Sequence, residues 1–427
     1  MIGNGKLSLN FIIVWFGQFV SSIGSGLTAF ALGIFIFEKT NSAFNFSMVI
    51  FFSFLPSFLL RPLGGTLSDR YDRRLMMIIG DIGSGLGLLF ILIMLQSGIS
   101  DLWVIYLGVA FSSVFVALQN PAYKASVTDL LDEQSYSKGS GLMQLAESAK
   151  FLVSPIVAGL LLGFWSIEEV IIIDILTFLI AVLAVFKIKF YLPKKSGKMG
   201  KNEFILDLKT GFKFTFSHKA LFYLLLITSF VTFFVGILQS LLGPMTLVFT
   251  DSKTFGVMLS IMASGMLVSS FIIGVFSKSE RQLMILSISL MLSGFFYAAL
   301  GVSTSITFLI IIGFLFFLTL PFINTSLDVL IRKNVPNEMQ GRVWSIVSFI
   351  SQIGMMISYG IAGFLADYCF NPLLKYNGLL SSSIGIITGV GEGRGIALMF
   401  ILSGLFIVII SFMIPRLPQL KSLESEN

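Results

Sequence analysis

The chain has 427 residues, of which 56% are hydrophobic and 12% are charged, and its mean hydropathy is +0.94. A water-soluble protein of this length cannot bury so many apolar side chains, so the composition excludes a soluble globular protein and indicates a polytopic membrane protein. The net charge of +6 does not indicate nucleic-acid binding, because the basic residues fall in short segments between apolar runs.

Twelve apolar runs are long enough to cross a bilayer, which requires about 20 residues of helix. Their hydrophobicity is continuous rather than alternating, which predicts helices and not barrel strands. The runs cover approximately residues 11–36, 44–66, 75–96, 102–121, 141–163, 168–187, 220–248, 255–277, 283–301, 306–327, 343–366 and 396–414. The predicted fold class is an all-α membrane protein with twelve transmembrane helices.

A Lys-rich segment divides the twelve runs into two sets of six. Between Tyr191 and Lys219 apolar residues become sparse and lysines accumulate. The sequence predicts an N-terminal six-helix bundle at 1–190, a cytoplasmic linker at 191–219, a C-terminal six-helix bundle at 220–416 and a cytoplasmic tail at 417–427. The linker is interpreted as a solvated segment on an anionic leaflet, with a specific lipid or regulatory site as the alternative.

The distribution of basic residues predicts the orientation. With a cytoplasmic N-terminus, the outer loops hold only Lys39, Lys253, Lys375 and Arg394 of the 28 basic residues. An even number of helices then returns the C-terminus to the cytoplasm. We therefore expect a multi-pass protein of a bacterial plasma membrane with both termini cytoplasmic.

The two halves of the chain carry a weak internal repeat. Asn120 and Asn324 end the fourth predicted helix of each half, and Gly159 matches Gly363 in the same register. Two related six-helix bundles about a pseudo-two-fold axis are typical of transporters that open a central cavity to each side in turn. The repeat predicts a transporter.

A charged segment separates the second and third predicted helices, where the sequence predicts a short loop at a membrane face. It reads GGTLSDRYDRRLMM from Gly64 to Met77. The segment resembles the loop between helices two and three of the major facilitator superfamily, G-x-L-x-D-R-x-G-R-R/K, with Asp72 where the pattern has glycine. The matching residues are Gly65, Leu67, Asp69, Arg70, Arg73 and Arg74.

Further segments are similar to the macrolide-efflux branch of that superfamily. They are Gly17-Gln18, Phe54-Leu55-Pro56, Asn120-Pro121-Ala122, Val153-Ser154-Pro155, Asp174 and Gly341-Arg342-Val343. The resemblance implies two pseudo-symmetric six-helix bundles and a secondary active exporter of hydrophobic drug-like compounds.

The resemblance also implies a conformational switch in the charged segment. Its residues would be Gly65, Asp69, Arg70, Arg73, Arg74 and Asp81. Asp69 is interpreted as a latch that forms in one conformation, with a solvated turn aspartate as the alternative. Asp81, early in the third helix, is interpreted as a charge partner of the arginines, with exposure at the interface as the alternative.

Antiporters of the superfamily carry G-x8-G-x3-G-P-x2-G-G in helix five. This chain retains Gly141, Pro155 and Gly159 and has other residues at the remaining glycine positions. The partial motif favours export over import.

Ionisable side chains within the apolar runs are few, and each costs at least about 2.5–3.5 kcal/mol to place in hydrocarbon. Glu147 and Lys150 are one turn apart and can meet as an i,i+3 pair. Proton coupling by Glu147, a static ion pair and exposure at the inner face remain open. Asp174 could receive a drug cation or a proton, with a hydrogen bond to a neighbouring helix as the alternative. Asp328 and Arg332 form a candidate gate pair.

The sequence lacks the features of an enzyme. It has no G-x4-G-K-S/T phosphate loop, its lone His218 lies in the Lys-rich segment, and no metal-ligand cluster is visible. We therefore predict no cofactor and no metal, and we expect an ion gradient to drive uphill transport. Cys369 is the single cysteine, which excludes an intramolecular disulfide.

The sequence thus predicts a proton-coupled, monomeric exporter whose partners are a small hydrophobic substrate, protons and membrane lipids, but no nucleic acid. Its 45 Phe and 18 Met residues suit a soft, apolar cavity wall, and few Asn or Gln residues fall within the helices. An importer or facilitator of a small metabolite in the same fold, and a non-transport role in lipid movement or sensing, remain alternatives.

Overall fold

A computed structural model describes residues 7–132, 135–188, 210, 212–276 and 281–425. Within these ranges the chain is helical without strands, and twelve helices are long and apolar enough to cross a membrane. They are α1 Leu9–Thr40, α2 Ala43–Arg70, α3 Arg73–Gln96, α4 Leu102–Leu130, α5 Tyr136–Leu162, α6 Ile167–Lys187, α7 Lys219–Leu247, α8 Ser252–Phe276, α9 Gln282–Ala299, α10 Ile306–Asn334, α11 Asn337–Phe364 and α12 Arg394–Met413. The prediction of twelve spanning helices is confirmed.

Shorter elements complete the second half. A π-helical turn at Leu365–Phe370 continues α11, and single helical turns follow at Asn371–Leu374 and Gly385–Thr388. A final short helix, α13, covers Pro418–Ser425.

The chain forms two compact units. Unit 1 contains the described residues of Met1–Asn41, Asn45–Lys198 and Asp251–Val257. Unit 2 contains those of Ser42–Phe44, Met199–Thr250 and Met258–Asn427. Most of the predicted linker, residues 191–209 and 211, lies outside the described residues.

The charged segment after α2 is mostly helical, so the prediction of a loop from Gly64 to Met77 is wrong. Helix α2 runs to Arg70 and α3 begins at Arg73, which leaves only two residues between them. The second of these, Asp72, caps α3: its carboxylate accepts a hydrogen bond from the backbone N–H of Arg74 at 2.9 Å. A capping carboxylate satisfies a free N–H of the first turn and favours a helix start at this point.

Helix α4 continues through Pro121 to Leu130 and α10 continues to Asn334, so the prediction that Asn120 and Asn324 end these helices is wrong. Pro121 has no N–H, which leaves the carbonyl of Ala117, four residues earlier, without its helical partner. This carbonyl lies against α2. A Cβ on Gly64 would overlap the Ala117 oxygen and lie 2.9 Å from the carbonyl carbon. Only a glycine allows α2 and α4 to approach so closely here.

A second proline is accommodated by the same pair of helices. Pro56 lies inside α2, and the hydroxyl of Ser113 on α4 lies beside it. This hydroxyl donates to the carbonyl of Ser53 at 2.6 Å and accepts from the backbone N–H of Ser57 at 3.1 Å. Since a proline weakens the hydrogen-bond ladder of its helix, the inserted hydroxyl satisfies backbone groups of α2 that the break exposes.

Each unit has its own packed interior. In unit 1 the fully buried residues Ile36, Ile91, Ile105 and Ile171 bring together α1, α3, α4 and α6. In unit 2 an aromatic cluster surrounds Tyr297, whose ring meets the edges or faces of Phe234, Phe316 and Phe400. The Tyr297 hydroxyl donates to the Phe234 carbonyl at 2.9 Å. Both interiors are formed by side chains packed between helices.

Candidate functional site

A cavity of about 330 Å³ lies within unit 1, walled by α1, α3, α4, α5 and α6. Four charged side chains line it: Asp81, Lys124, Glu147 and Lys150. Four amide side chains line it as well: Gln18, Gln119, Asn120 and Gln144. The expectation of an apolar wall with few Asn or Gln residues is wrong for this cavity. Because charges inside spanning helices are costly, their concentration around one space marks a candidate functional site.

Asp81 belongs to this cavity rather than to the charged segment. Its side chain is 2% exposed, and its Oδ2 accepts a hydrogen bond from Gln18 Nε2 at 2.9 Å. Gln18 Oε1 in turn accepts from Gln119 Nε2. The prediction that Asp81 is a charge partner of the arginines is wrong, because the side chain faces α1 and α4 instead of the end of α2.

The arginines at the start of α3 have other partners. Arg73 Nη1 donates to the Ala125 carbonyl at 2.7 Å and pairs with the Asp129 carboxylate at 2.5 Å. Arg74 donates to the Phe186 carbonyl at 2.6 Å and lies 5.2 Å above the Phe186 ring. The two arginines therefore tie the start of α3 to the ends of α4 and α6.

The remaining residues of the predicted switch lie in the last turns of α2. Arg70 is exposed, and a Cβ added to Gly65 would meet no atom within 4 Å. The side chain of Asp69 lies outside the described residues. The glycine that the packing requires is the neighbouring Gly64, which the sequence motif does not single out.

Glu147 and Lys150 line the cavity one turn apart on α5, but no ion pair joins them, so the static-pair alternative is contradicted. Lys150 runs toward α1, where its Cγ would lie 3.0 Å from a Cβ on Gly26, and its charge interacts with Asp174. Glu147 interacts electrostatically with Tyr123 of α4. Glu147 is exposed and Lys150 is half-buried, so the two side chains lie in different surroundings.

Asp174, the predicted site for a drug cation or a proton, does not line the cavity. It is 1% exposed in α6, and the Thr177 hydroxyl lies 3.2 Å from its Oδ1. A Cβ on Gly24 of α1 would lie 2.7 Å from the same oxygen. Asp174 is thus held at the contact of α1 and α6, behind the cavity wall near Lys150.

Gln119 and Tyr123 are cavity residues that the sequence analysis missed. The hydroxyl of Tyr123 is buried and has no hydrogen-bond partner within the described ranges. The two residues are four positions apart on α4, together with Asn120 on the same side. This polar stripe at helical spacing inside an apolar run is the signal that could have identified them.

The three residues of the helix-five motif lie in different environments. Gly141 has open space around it, Pro155 lies within α5, and Gly159 is buried. They do not line the cavity.

The candidate gate residues pair in unit 2. Arg332 Nε donates to Asp328 Oδ2 at 3.0 Å, with 61% and 44% of the two side chains exposed. The Arg332 guanidinium also lies 5.7 Å from the centre of the Trp344 ring. No group of three or more His, Cys, Asp or Glu side chains suited to a metal occurs in the part of the chain that the structure describes.

Spanning helices around a charged internal cavity define a multi-pass membrane transporter. The chain belongs to the Major Facilitator Superfamily, whose family model matches residues 14–359. The prediction of this superfamily and its fold is confirmed.

Two relatives of this chain are an efflux protein and an exporter. The chain is 25% identical over 425 residues to Macrolide efflux protein A of Streptococcus pyogenes, covering 97% of this chain and 98% of the relative. It is 24% identical over 153 residues to the Enterobactin exporter EntS of Shigella flexneri, covering 36% and 37% of the two chains. The crystal structure of the nucleoside transporter NupG has a similar fold, with a TM-score of 0.69 at 14% identity, covering 96% and 100%. The family and fold point to a transporter rather than an enzyme.

Proposed function

We propose that the protein is a proton-coupled exporter of hydrophobic, drug-like compounds of the macrolide type, working as a monomer in a bacterial plasma membrane with both termini cytoplasmic. The observation that carries the proposal is Glu147, an exposed carboxylate of the cavity wall that lies within a spanning helix and forms no ion pair with any residue that the structure describes. The end-to-end similarity to a macrolide efflux protein supports the substrate class and direction.

Coupling follows from the cost of charge in this environment. A carboxylate inside a span is less costly when it is protonated or when a cation lies beside it. A proton on Glu147 therefore removes a negative charge that attracts a cationic substrate into the cavity. Binding of one favours release of the other, and the cavity exchanges them between the two sides of the membrane.

The proposal assigns switching to the charged segment. Arg73, which holds Ala125 and Asp129 of α4, would release or reform these contacts as the ends of α2, α3 and α4 move. Asp69 would act as the latch, and Asp328 with Arg332 as a gate in unit 2. Asp69→Asn is expected to lower turnover more than it lowers thermal stability, and a wild-type transport rate in this variant would remove the assignment.

Drug accumulation in energised cells tests the main proposal. Cells that express the protein should accumulate less of a macrolide than cells without it, and a protonophore should abolish the difference. Glu147→Gln should remove it as well, whereas Glu392→Gln is the matched control, since Glu392 is exposed and lies outside the spans. Equal accumulation with and without the protein across a broad drug panel would refute export.

The polar wall favours one second candidate, an importer or facilitator of a small polar metabolite. Gln18, Gln119, Asn120 and Gln144 offer the hydrogen-bonding pairs that such a solute requires. Uptake into right-side-out vesicles, compared with uptake into inverted vesicles, separates the two: an exporter loads inverted vesicles when a proton gradient is imposed.

A further inference from the structure

We propose that Asp81, Gln18 and Gln119 form a subsite that recognises the protonated amine of a transported compound. The proposal rests on the proposed function, because it takes the cavity in unit 1 as the place where the transported solute binds. It goes beyond that function by naming the chemical group that is recognised and the atoms that recognise it.

The hydrogen bonds of the three side chains run in one direction. Carboxylate oxygens only accept hydrogen bonds, so Gln18 must turn its NH₂ group toward Asp81 Oδ2, at 2.9 Å. The Oε1 of Gln18 is then left to accept from Gln119 Nε2. The carboxylate thereby sets the orientation of both amides.

This direction decides what the cavity presents to a ligand. Asp81 Oδ1 and Gln119 Oε1 take no part in these two hydrogen bonds. Neither oxygen has a hydrogen-bond partner among the residues that the structure describes. Both side chains line the cavity, and neither oxygen is among the atoms sealed from solvent. The subsite therefore offers acceptors, and its complement is a group with N–H or O–H donors.

The charges around the subsite favour a cationic donor. Asp81 is the buried charge of the cavity wall and forms no ion pair with a described residue, while Lys150 interacts electrostatically with Asp174. The remaining charged side chains of the wall, Lys124 and Glu147, are both exposed. A protonated amine supplies both a positive charge and an N–H donor, and such charge-assisted hydrogen bonds are the strong ones.

Two probes that differ only at the nitrogen test the subsite. One is a hydrophobic fluorophore with a dimethylamino arm, protonated at neutral pH, and the other is its trimethylammonium twin, which keeps the charge but has no N–H. Binding to the purified full-length protein in nanodiscs is measured by fluorescence anisotropy. The dimethylammonium probe should bind with a Kd about tenfold lower than that of its twin.

Variants then show which side chains cause the preference for the dimethylammonium probe. Gln119→Leu should raise the Kd of the dimethylammonium probe and reduce its advantage over the twin, while Asp81→Asn should weaken both probes and abolish the advantage. Glu392→Gln should keep the wild-type ratio. If Asp81→Asn fails to fold, Gln119→Leu still tests the assignment, because an unchanged ratio of the two Kd values in that variant would overturn the subsite.

The outcomes separate this subsite from the proposed function. Equal Kd values of the two probes on the wild-type protein would overturn the subsite, whether or not cells export drugs. A tenfold preference would support it even if a protonophore left drug accumulation unchanged, a result that would refute only proton-coupled export.

Discussion

The adjacent glycines of α2 give a matched pair of substitutions with opposite expected effects. Gly64 and Gly65 both lie inside the helix, so alanine at either position should gain about 0.5–1 kcal/mol from the lower conformational entropy of the unfolded chain. Gly65→Ala should realise this gain, because nothing lies within 4 Å of the added Cβ.

Gly64→Ala should be destabilising despite the same gain. Its Cβ would overlap the Ala117 oxygen, and the obstacle is a backbone carbonyl of α4 that cannot rotate away. Overpacking typically costs about 1–3 kcal/mol, and a clash with rigid backbone belongs at the upper end. After subtraction of the helix gain, we expect a net loss of about 2 kcal/mol and a difference of about 3 kcal/mol between the two variants.

The measurement is thermal unfolding of the two purified variants in the same detergent, followed by tryptophan fluorescence. Gly65→Ala should melt at or above the wild-type Tm, and Gly64→Ala several degrees below it. Equal Tm values for both variants, or a lower Tm for Gly65→Ala alone, would refute the close approach of α2 and α4 at Gly64.

Three further predictions use the same measurement. Ser113→Ala should cost about 2 kcal/mol, because it removes two hydrogen bonds to half-buried backbone groups of α2, whereas Ser97→Ala at an exposed position should be near neutral. Tyr297→Phe should cost about 1 kcal/mol through loss of its buried hydrogen bond; an unchanged Tm would show that the hydroxyl contributes nothing. Hydrogen bonds from the Thr254 side chain and backbone N–H lower the pKa of Asp251, which lies between spans. Its stabilising effect should be present at neutral pH and disappear as the pH falls below about 4, so the Tm difference between wild type and Asp251→Asn should vanish in acid.

Some features of the candidate site were visible in the sequence and others were not. Glu147, Lys150 and Asp81 stand out because each is an ionisable residue in a long apolar run. The residues that these side chains contact could not be predicted from the sequence. The spacing of Glu147 and Lys150 allows an ion pair, yet in the structure Lys150 lies against Gly26 of α1, Glu147 is exposed, and no ion pair joins them.

The sequence by itself determined that this protein is a bundle of twelve spanning helices of the superfamily that its charged motif resembles. It could do so because the length and continuity of apolar runs decide membrane insertion locally, one helix at a time. The tertiary structure alone decided that Asp81 meets Gln18 and that Gly64, not Gly65, meets the carbonyl freed by Pro121. Such contacts depend on the rotation and depth of one helix against another, which are fixed by packing across residues distant in the chain.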